Sequence, residues 1–343
     1  MRILKYKEAI SEATVQAMEA DNSIFVTGHA VDYPSGIFGS TTAAAARFPD
    51  RVFDCPSMEN GFAGIAVGAA AMGKRPLYVF PRADFMFLSF DNLLNLACKW
   101  RYMYGGNAGR VPIVFRAIVG KGWGQGATHS QSPHAPLAHF PGLTVALPAT
   151  PADAKGLLLS ALTGQDPVVI FEHRALYDTE GPVDEAMTPI PFGKANIVRE
   201  GSDITIVATS FMVSEALVAA EELAARGVSV EIIDPRTVRP LDEKTILASV
   251  KKTGRLIVAD TSWELCGFTS EVAALVAEKG FHHLKAPVRR IALANCPAPV
   301  SMKLEEAFYP KASTLANAAL QLLGKASTDM AHIDQESLFK GPY

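Results

Sequence analysis

The spacing of apolar residues changes repeatedly along the chain. Residues 7–20 place them on one face of a helix, whereas 24–28 (IFVTG) form a short, almost continuous apolar run of strand type. Residues 60–73 (NGFAGIAVGAAAMG) are nearly all small and read as a helix. Residues 77–80 follow as a strand, 86–104 as a helix, and 111–117 (VPIVFRA) as a strand with a glycine-rich loop behind it. Residues 151–164 open with Pro-Ala-Asp, so Pro151 falls in the first helical turn, where its missing N–H is tolerated. Residues 167–172 (PVVIFE) read as a further strand. Strands alternating with helices predict a parallel α/β sheet.

The period is lost over 175–202, which is rich in Pro, Gly and acidic residues. A second alternation follows, with strands at 204–208, 228–234, 256–260 and 288–293. Its helices are expected at 212–226, 242–251, 268–279, 301–307 and 312–323. The pattern predicts an α/β protein of two domains, each a mainly parallel sheet flanked by helices. The first spans 1–185 and the second 203–325, with a linker at 186–202 and a loose polar tail at 326–343. No internal repeat is visible.

Composition narrows the classes. A chain of 343 residues suffices for two cores, and 20% charged with 49% hydrophobic residues is ordinary for a folded soluble protein. The net charge is −3 and no long Lys/Arg run occurs, so nucleic acid is not an expected partner. The sequence shows neither an apolar signal core nor 18 consecutive apolar residues, so the expectation is a cytoplasmic protein with no membrane span. Cys55, Cys98, Cys266 and Cys296 are scattered, without the CxxC spacing of a zinc site, and are expected as reduced thiols.

Three segments carry candidate chemistry. The first is Ser57-Met58-Glu59-Asn60-Gly61, which presents a carboxylate at the start of a helix relieved of bulk at Gly61, Gly64 and Gly68. By itself Glu59 reads equally well as an acid favoured by the positive end of the helix dipole. The second, residues 120–132, alternates glycines and then carries Thr128-His129-Ser130. Its spacing is not that of a phosphate loop, and the glycines let it bend so that His129 points into a cleft. His129, His134 and His139 are interrupted by Pro133 and Pro136 and cannot share a helical face, so no metal site is expected. His134 and His139 read as surface or supporting residues. The third, PRADFMFLSFD, sets Arg82 and Phe85 at a strand-to-helix junction, where ligands approach open α/β sheets. Phe85 could stack on a flat heterocycle. Arg82 either pairs with Asp84 or another acid, reaches solvent, or grips an anionic substrate.

These segments occur in a family order. MENGFAGIAVGAA, FDNLLNLACKWRYMYGG, GATHSQSPHAPLAHFPGLTVALPATPADAKGLLLSAL and IIDPRTVRPLD resemble the β subunits of thiamine-diphosphate-dependent 2-oxo acid dehydrogenases, such as pyruvate, branched-chain and acetoin dehydrogenases. The similarity covers roughly residues 5–325, and is more distant to the C-terminal half of transketolase. The resemblance implies a transketolase-like pyrimidine-binding domain followed by a transketolase C-terminal domain. It assigns Glu59 to the aminopyrimidine N1′, Phe85 to stacking on that ring, His129 to the active-site histidine, and Ser57 and Met58 to the pocket wall. The family's GDG motif with a distant Asn is absent. The resemblance therefore implies an α-type partner that holds the diphosphate and Mg²⁺, in an α2β2 assembly that also meets a lipoyl acyltransferase.

Some positions depart from the family. His29 and Ala30 stand where acidic residues usually form a tunnel between paired sites, and Arg82 stands where a neutral residue is usual. Gly164 and Asp166 differ from a branched-chain potassium loop, which leaves a structural K⁺ open. Three functions follow in order of weight. They are oxidative decarboxylation of a 2-oxo acid with acyl transfer, non-oxidative ketol or acyl transfer to a carbonyl acceptor, and a non-catalytic scaffold.

Overall fold

A computed structural model describes residues 2–120 and 124–334. Lys121, Gly122 and Trp123 of the glycine-rich loop, and residues 335–343 of the expected tail, lie outside the described residues. The described residues form two compact units. One holds residues up to 120 and 128–192, and the other holds 124–127 and 193–334.

The strands of the first unit are β1 (Arg2–Lys5), β2 (Ile24–Gly28), β3 (Val52–Asp54), β4 (Arg75–Phe80), β5 (Val114–Val119), β6 (Thr144–Ala146), β7 (Val168–His173) and β8 (Glu180–Val183). Its helices are α1 (Tyr6–Ala20), α2 (Thr42–Arg47), α3 (Glu59–Ala71), α4 (Trp100–Met103), α5 (His134–Ala138) and α6 (Pro151–Thr163). Strands β6–β7–β5–β4–β2–β3 pair in that order, all parallel, while β1 and β8 form an antiparallel ribbon. Every residue of β5 and β7 is buried, as expected for strands covered on both faces. At the start of α6, Thr150 accepts from the Asp153 N–H and Pro151 takes the first position. The apolar faces of α1 and α6 pack together.

The helix expected over 86–104 is not continuous. It divides into a 3₁₀ segment (Ala83–Ser89), a wide π-type turn (Asp91–Ala97) and the short α4. Ser89 Oγ donates to the Glu59 carbonyl at 2.9 Å, and Asn92 Nδ2 donates to the Asn60 carbonyl at 2.8 Å. Gly64 permits this approach, because a Cβ there would lie 2.9 Å from Asn92 Oδ1. The contacts to α3 hold the segment out of regular helical register.

The second unit contains β9 (Asn196–Arg199), β10 (Ile204–Ala208), β11 (Val230–Asp234), β12 (Thr237–Arg239), β13 (Leu256–Trp263) and β14 (Arg289–Leu293). Helices α7 (Phe211–Ala225), α8 (Glu243–Thr253), α9 (Phe268–Lys279), α10 (Met302–Phe308) and α11 (Ala312–Leu322) accompany them. Its sheet runs β14–β13–β10–β11–β9 and is parallel except for β9, which comes from the stretch expected as linker and pairs antiparallel with β11. Asp242 caps α8 by accepting from the Thr245 N–H, and Gly254 at φ +75° ends it. Ile246 and Val250 of α8 join Val207, Ile233, Val258 and Val272 in one core. Residues 326–334 are tied down rather than loose. Met330 is buried, and Asp334 accepts from the N–H and hydroxyl of Ser313. Among the described residues no helix is long and apolar enough to cross a membrane.

Candidate active site

In the sheet of the first unit the chain leaves β2 on one side to form β3, then returns on the other side as β4. Connections diverge at the carboxyl ends of β2 and β4, where a parallel sheet leaves a crevice. A cavity of about 520 Å³ lies at this point. Gly28 ends β2 at φ +140°, and a Cβ there would come within 2.2 Å of the Val79 carbonyl oxygen, so only glycine allows this close passage beside β4.

Glu59, Ser57, Phe85 and His129 all line this cavity. Glu59 is the first residue of α3 and is half-buried; its carboxylate has no hydrogen-bond partner among the described residues. Phe85 meets the His129 ring edge-on, with centroids 5.3 Å apart and planes at 82°. The loop carrying His129 is held in place from two sides. Arg174 Nη2 donates to the His129 carbonyl at 2.8 Å, and Gln131 Nε2 donates to Asp84 Oδ1 at 2.8 Å. Thr128 Oγ1 lies 3.0 Å from His129 Nδ1 and engages that nitrogen. Met58 is not part of the lining. It occupies the cap position of α3, and its side chain is exposed, running past Gly61. His134 is not a surface residue: α5 buries it fully, edge-on to Phe171.

The cavity also contains residues that sequence reasoning did not assign. His29 directly follows β2, Cys55 directly follows β3, and Tyr78 lies in β4. The usable signal was positional, since residues just past the carboxyl ends of strands at a switch point face the crevice. The Tyr78 hydroxyl contacts Cys55 Sγ at 3.6 Å. Burial, with smaller help from the Cys55 contact and the Glu59 and Asp54 charges, raises Tyr78 well above its ordinary value and keeps the phenol neutral. Burial likewise raises the Cys55 thiol, so it is not an activated nucleophile.

Phe38 forms another wall, in a tight turn where Ile37 and Phe38 both take positive φ. That strained turn is braced from below. Ser40 Oγ donates to the Ile37 carbonyl and accepts from Arg116 Nη2 at 2.8 Å, and Arg116 is itself paired with Glu172 inside the sheet. Tyr177 donates to the same Glu172 carboxylate at 2.6 Å.

Arg82 reaches the cavity without the acid expected beside it. Asp84 Oδ1 is taken by Gln131, and no carboxylate lies at ion-pair distance from Arg82 among the described residues. Arg82 Nη1 donates to the Pro81 carbonyl at 2.7 Å, and its Nε is buried without a partner. Burial lowers its pKa, though a guanidinium remains cationic.

Comparison with known proteins agrees with this architecture. The pyrimidine-binding domain of transketolase matches residues 3–180, and the C-terminal domain of transketolase matches 193–315. The β subunit of acetoin:2,6-dichlorophenolindophenol oxidoreductase from Cupriavidus necator is 42% identical over 328 residues, covering 93% of this chain and 97% of that one. Its Bacillus subtilis counterpart is 40% identical over 337 residues, covering 94% and 98%. A mitochondrial pyruvate dehydrogenase E1 component subunit β-2 from Oryza sativa subsp. japonica is 42% identical over 318 residues, covering 91% and 84%. Among solved structures, a split-gene transketolase described as an inactive β4 tetramer shares the fold with TM-score 0.77 at 23% identity, covering 94% of this chain and 98% of that one. Transketolase from Leishmania mexicana shares it with TM-score 0.70 at 16% identity, and this chain spans 47% of that protein. With both domains matched and these relatives aligned over nine-tenths of its length, the chain belongs to the family of thiamine-diphosphate-dependent 2-oxo acid dehydrogenase β subunits.

Proposed function

We propose that this β subunit holds the aminopyrimidine half of thiamine diphosphate in the β2–β4 crevice, and that an α-type subunit holds the diphosphate and Mg²⁺ in an α2β2 assembly. The observation that carries this reading is the gathering of Glu59, Phe85 and His129 in one cavity, with the Glu59 carboxylate lacking a hydrogen-bond partner among the described residues. A half-buried carboxylate with no competing hydrogen bond is suited to share a proton with N1′ of the pyrimidine. Phe85 gives that ring a flat apolar neighbour, and Ser57 extends the wall beside Glu59. With Nδ1 engaged by Thr128, His129 offers Nε2 for proton transfer at the substrate carbonyl oxygen. Bound there, the cofactor supplies the carbanion chemistry that no side chain here offers.

The reaction is oxidative decarboxylation of a 2-oxo acid, with acyl transfer to a lipoyl domain of a partner acyltransferase. Two features support a split site. The chain lacks the family's GDG motif, and among the described residues no group of three or more His, Cys, Asp or Glu could hold a metal ion. A partner surface is at hand on α3, where Gly61, Ile65, Gly68 and Met72 form one exposed helical stripe, with Ile65 at 62% and Met72 at 85% exposure. Potassium has no part in this reading. The Gly164 carbonyl accepts from Arg75 Nη1 at 2.5 Å, and Asp166 pairs with Arg101 and Arg110, so guanidinium groups engage the oxygens of that loop.

The test is Glu59→Gln in the assembled enzyme. It keeps the shape and removes the shared proton, so exchange of the cofactor C2 proton should slow by about a hundredfold or more while cofactor affinity changes little. Unchanged exchange removes Glu59 from the mechanism.

A further inference from the structure

Among the cavity groups that the mechanism just given leaves unused are Arg82 and His29. They follow the two strands that flank the crevice: His29 comes directly after β2, and Arg82 comes two residues after β4. The strands are paired, with Gly28 beside Val79, and the His29 N–H donates to the Val79 carbonyl at 3.4 Å. Both side chains line the cavity, and both keep a buried nitrogen without a partner among the described residues, Nε on Arg82 and Nδ1 on His29.

The one acid whose charge acts on Arg82 is Asp84, which opposes the effect of burial without reaching ion-pair distance among the described residues. Glu59 is the sole carboxylate in the cavity lining among the described residues, and the proposed proton sharing with the cofactor occupies it. Asp84 acts on Arg82 only through space, since its Oδ1 accepts its hydrogen bonds from Gln131. On its other side, the Arg82 guanidinium lies 5.8 Å from the centroid of the Phe38 ring, which offers no formal charge. A guanidinium that lines a cavity and whose one hydrogen bond among the described residues goes to its neighbour's carbonyl is an incomplete anion site. Phe38 is fixed in its braced turn, so the cation is held facing the cavity rather than free to swing to solvent.

We infer that Arg82 and His29 together bind a second anionic group of the substrate, a carboxylate or phosphate remote from the 2-oxo carbon. The inference rests on the functional reading above and narrows its substrate class to 2-oxo acids that are anionic at both ends. Arg82 contributes its planar fork of donors, and His29 adds one Nδ1–H donor from the facing loop. Both are specificity-determining residues and leave the proton transfers to Glu59 and His129.

The experiment uses the enzyme assembled with its α-type partner and three donors of similar length: 2-oxoglutarate, 2-oxo-4-phosphonobutanoate and the singly charged 2-oxopentanoate. One or both doubly charged donors should show a higher kcat/KM than 2-oxopentanoate, and the better of the two identifies carboxylate or phosphate. In Arg82→Met that preference should fall about ten- to a hundredfold, mainly through KM, the size expected for losing hydrogen bonds to a charged group. His29→Gln should lower it by a smaller factor, and it reads the same ratio should Arg82→Met fail to fold. Wild-type enzyme with no preference for the doubly charged donors overturns the inference and leaves the functional reading standing. So do equal losses on all three donors, or a loss confined to thiamine diphosphate affinity. Failure to turn over any 2-oxo acid, with Glu59→Gln indistinguishable from wild type, instead overturns the functional reading.

Discussion

The two units of this chain place the same topological feature in opposite states. In the second unit the chain leaves β10 to form β11 and returns on the other side as β13, so the carboxyl ends of β10 and β13 flank a switch point like that of β2 and β4. There Thr209 Oγ1 donates to Asp260 Oδ1 at 2.6 Å, Ser262 Oγ donates to Asp260 Oδ2 at 2.5 Å, and all three residues are buried. The polar groups satisfy one another. In the first unit Glu59, His29 and Arg82 face a cavity and do not satisfy each other. Topology supplies the place for a site, and unsatisfied polar groups show whether it is used as one.

The comparison can be broken at several points. The largest effect is expected at Asp260. Asp260→Ala orphans the Thr209 and Ser262 hydroxyls in a dry core and should cost about 3 kcal/mol, whereas Glu59→Ala should cost less than about 0.5 kcal/mol. Urea denaturation of the two variants decides it, and equal costs would mean that Glu59 is as firmly satisfied as Asp260.

Next come the α3 glycines, which sharpen the contrast between inward and outward surfaces. A Cβ at Gly64 meets Asn92 Oδ1 at 2.9 Å, whereas nothing lies within 4 Å of one at Gly68. Gly64→Leu should therefore destabilise the chain itself, by about 1–3 kcal/mol as an overpacked contact. Gly68→Leu should leave the melting temperature of the isolated chain nearly unchanged and weaken assembly, read as the dissociation constant for the partner subunit. Normal assembly of Gly68→Leu would take the stripe out of the interface.

The smallest expected effect tests a local feature of the second unit. Burial pushes the Asp242 carboxyl up, but hydrogen bonds from the Ala195 N–H and from Thr245 outweigh it and hold the pKa below the usual 3.8. A carboxyl lowered in the folded state stabilises above its unfolded pKa, and the contribution disappears as pH falls through the folded value. Asp242→Ala should thus cost about 1 kcal/mol at neutral pH, as for other helix caps, with the difference from wild type shrinking as pH falls below about 4. A constant difference down to pH 3 would show that the charge plays no part in the cap.

Much of the fold was legible from local pattern. The strands at 24–28 and 204–208 fall on β2 and β10, and the Pro151 signal falls on the start of α6. The short strands β1, β3, β6 and β9 were not found, because three or four residues cannot display a period and are specified by the neighbours they pair with. The continuous helix expected over 86–104 failed for a related reason. Its apolar spacing suits a helix, yet Ser89 and Asn92 are bound to carbonyls of α3, a partner that local sequence does not reveal. Among the proposed site residues, motif resemblance pointed to Glu59, Phe85 and His129, which converge on one cavity, whereas His29, Cys55 and Tyr78 reach it only through strand order.

What the sequence determined by itself is whatever a short window contains: the alternation that makes parallel sheets, the glycine-relieved helix with Glu59 at its start, and the caps of α6 and α8. These depend on backbone sterics and nearest-neighbour hydrogen bonds, which act over a few residues. Tertiary structure alone decided which polar groups satisfy one another. Asp84 could have paired with Arg82 two positions away, and instead it binds Gln131, 47 residues on, leaving Arg82 facing the cavity. Asp260 faced the equivalent choice in the second unit and is enclosed by Thr209 and Ser262. Such choices are settled by which loops the sheet order brings within 3 Å, because the short range of the hydrogen bond makes its partner a property of the packed chain.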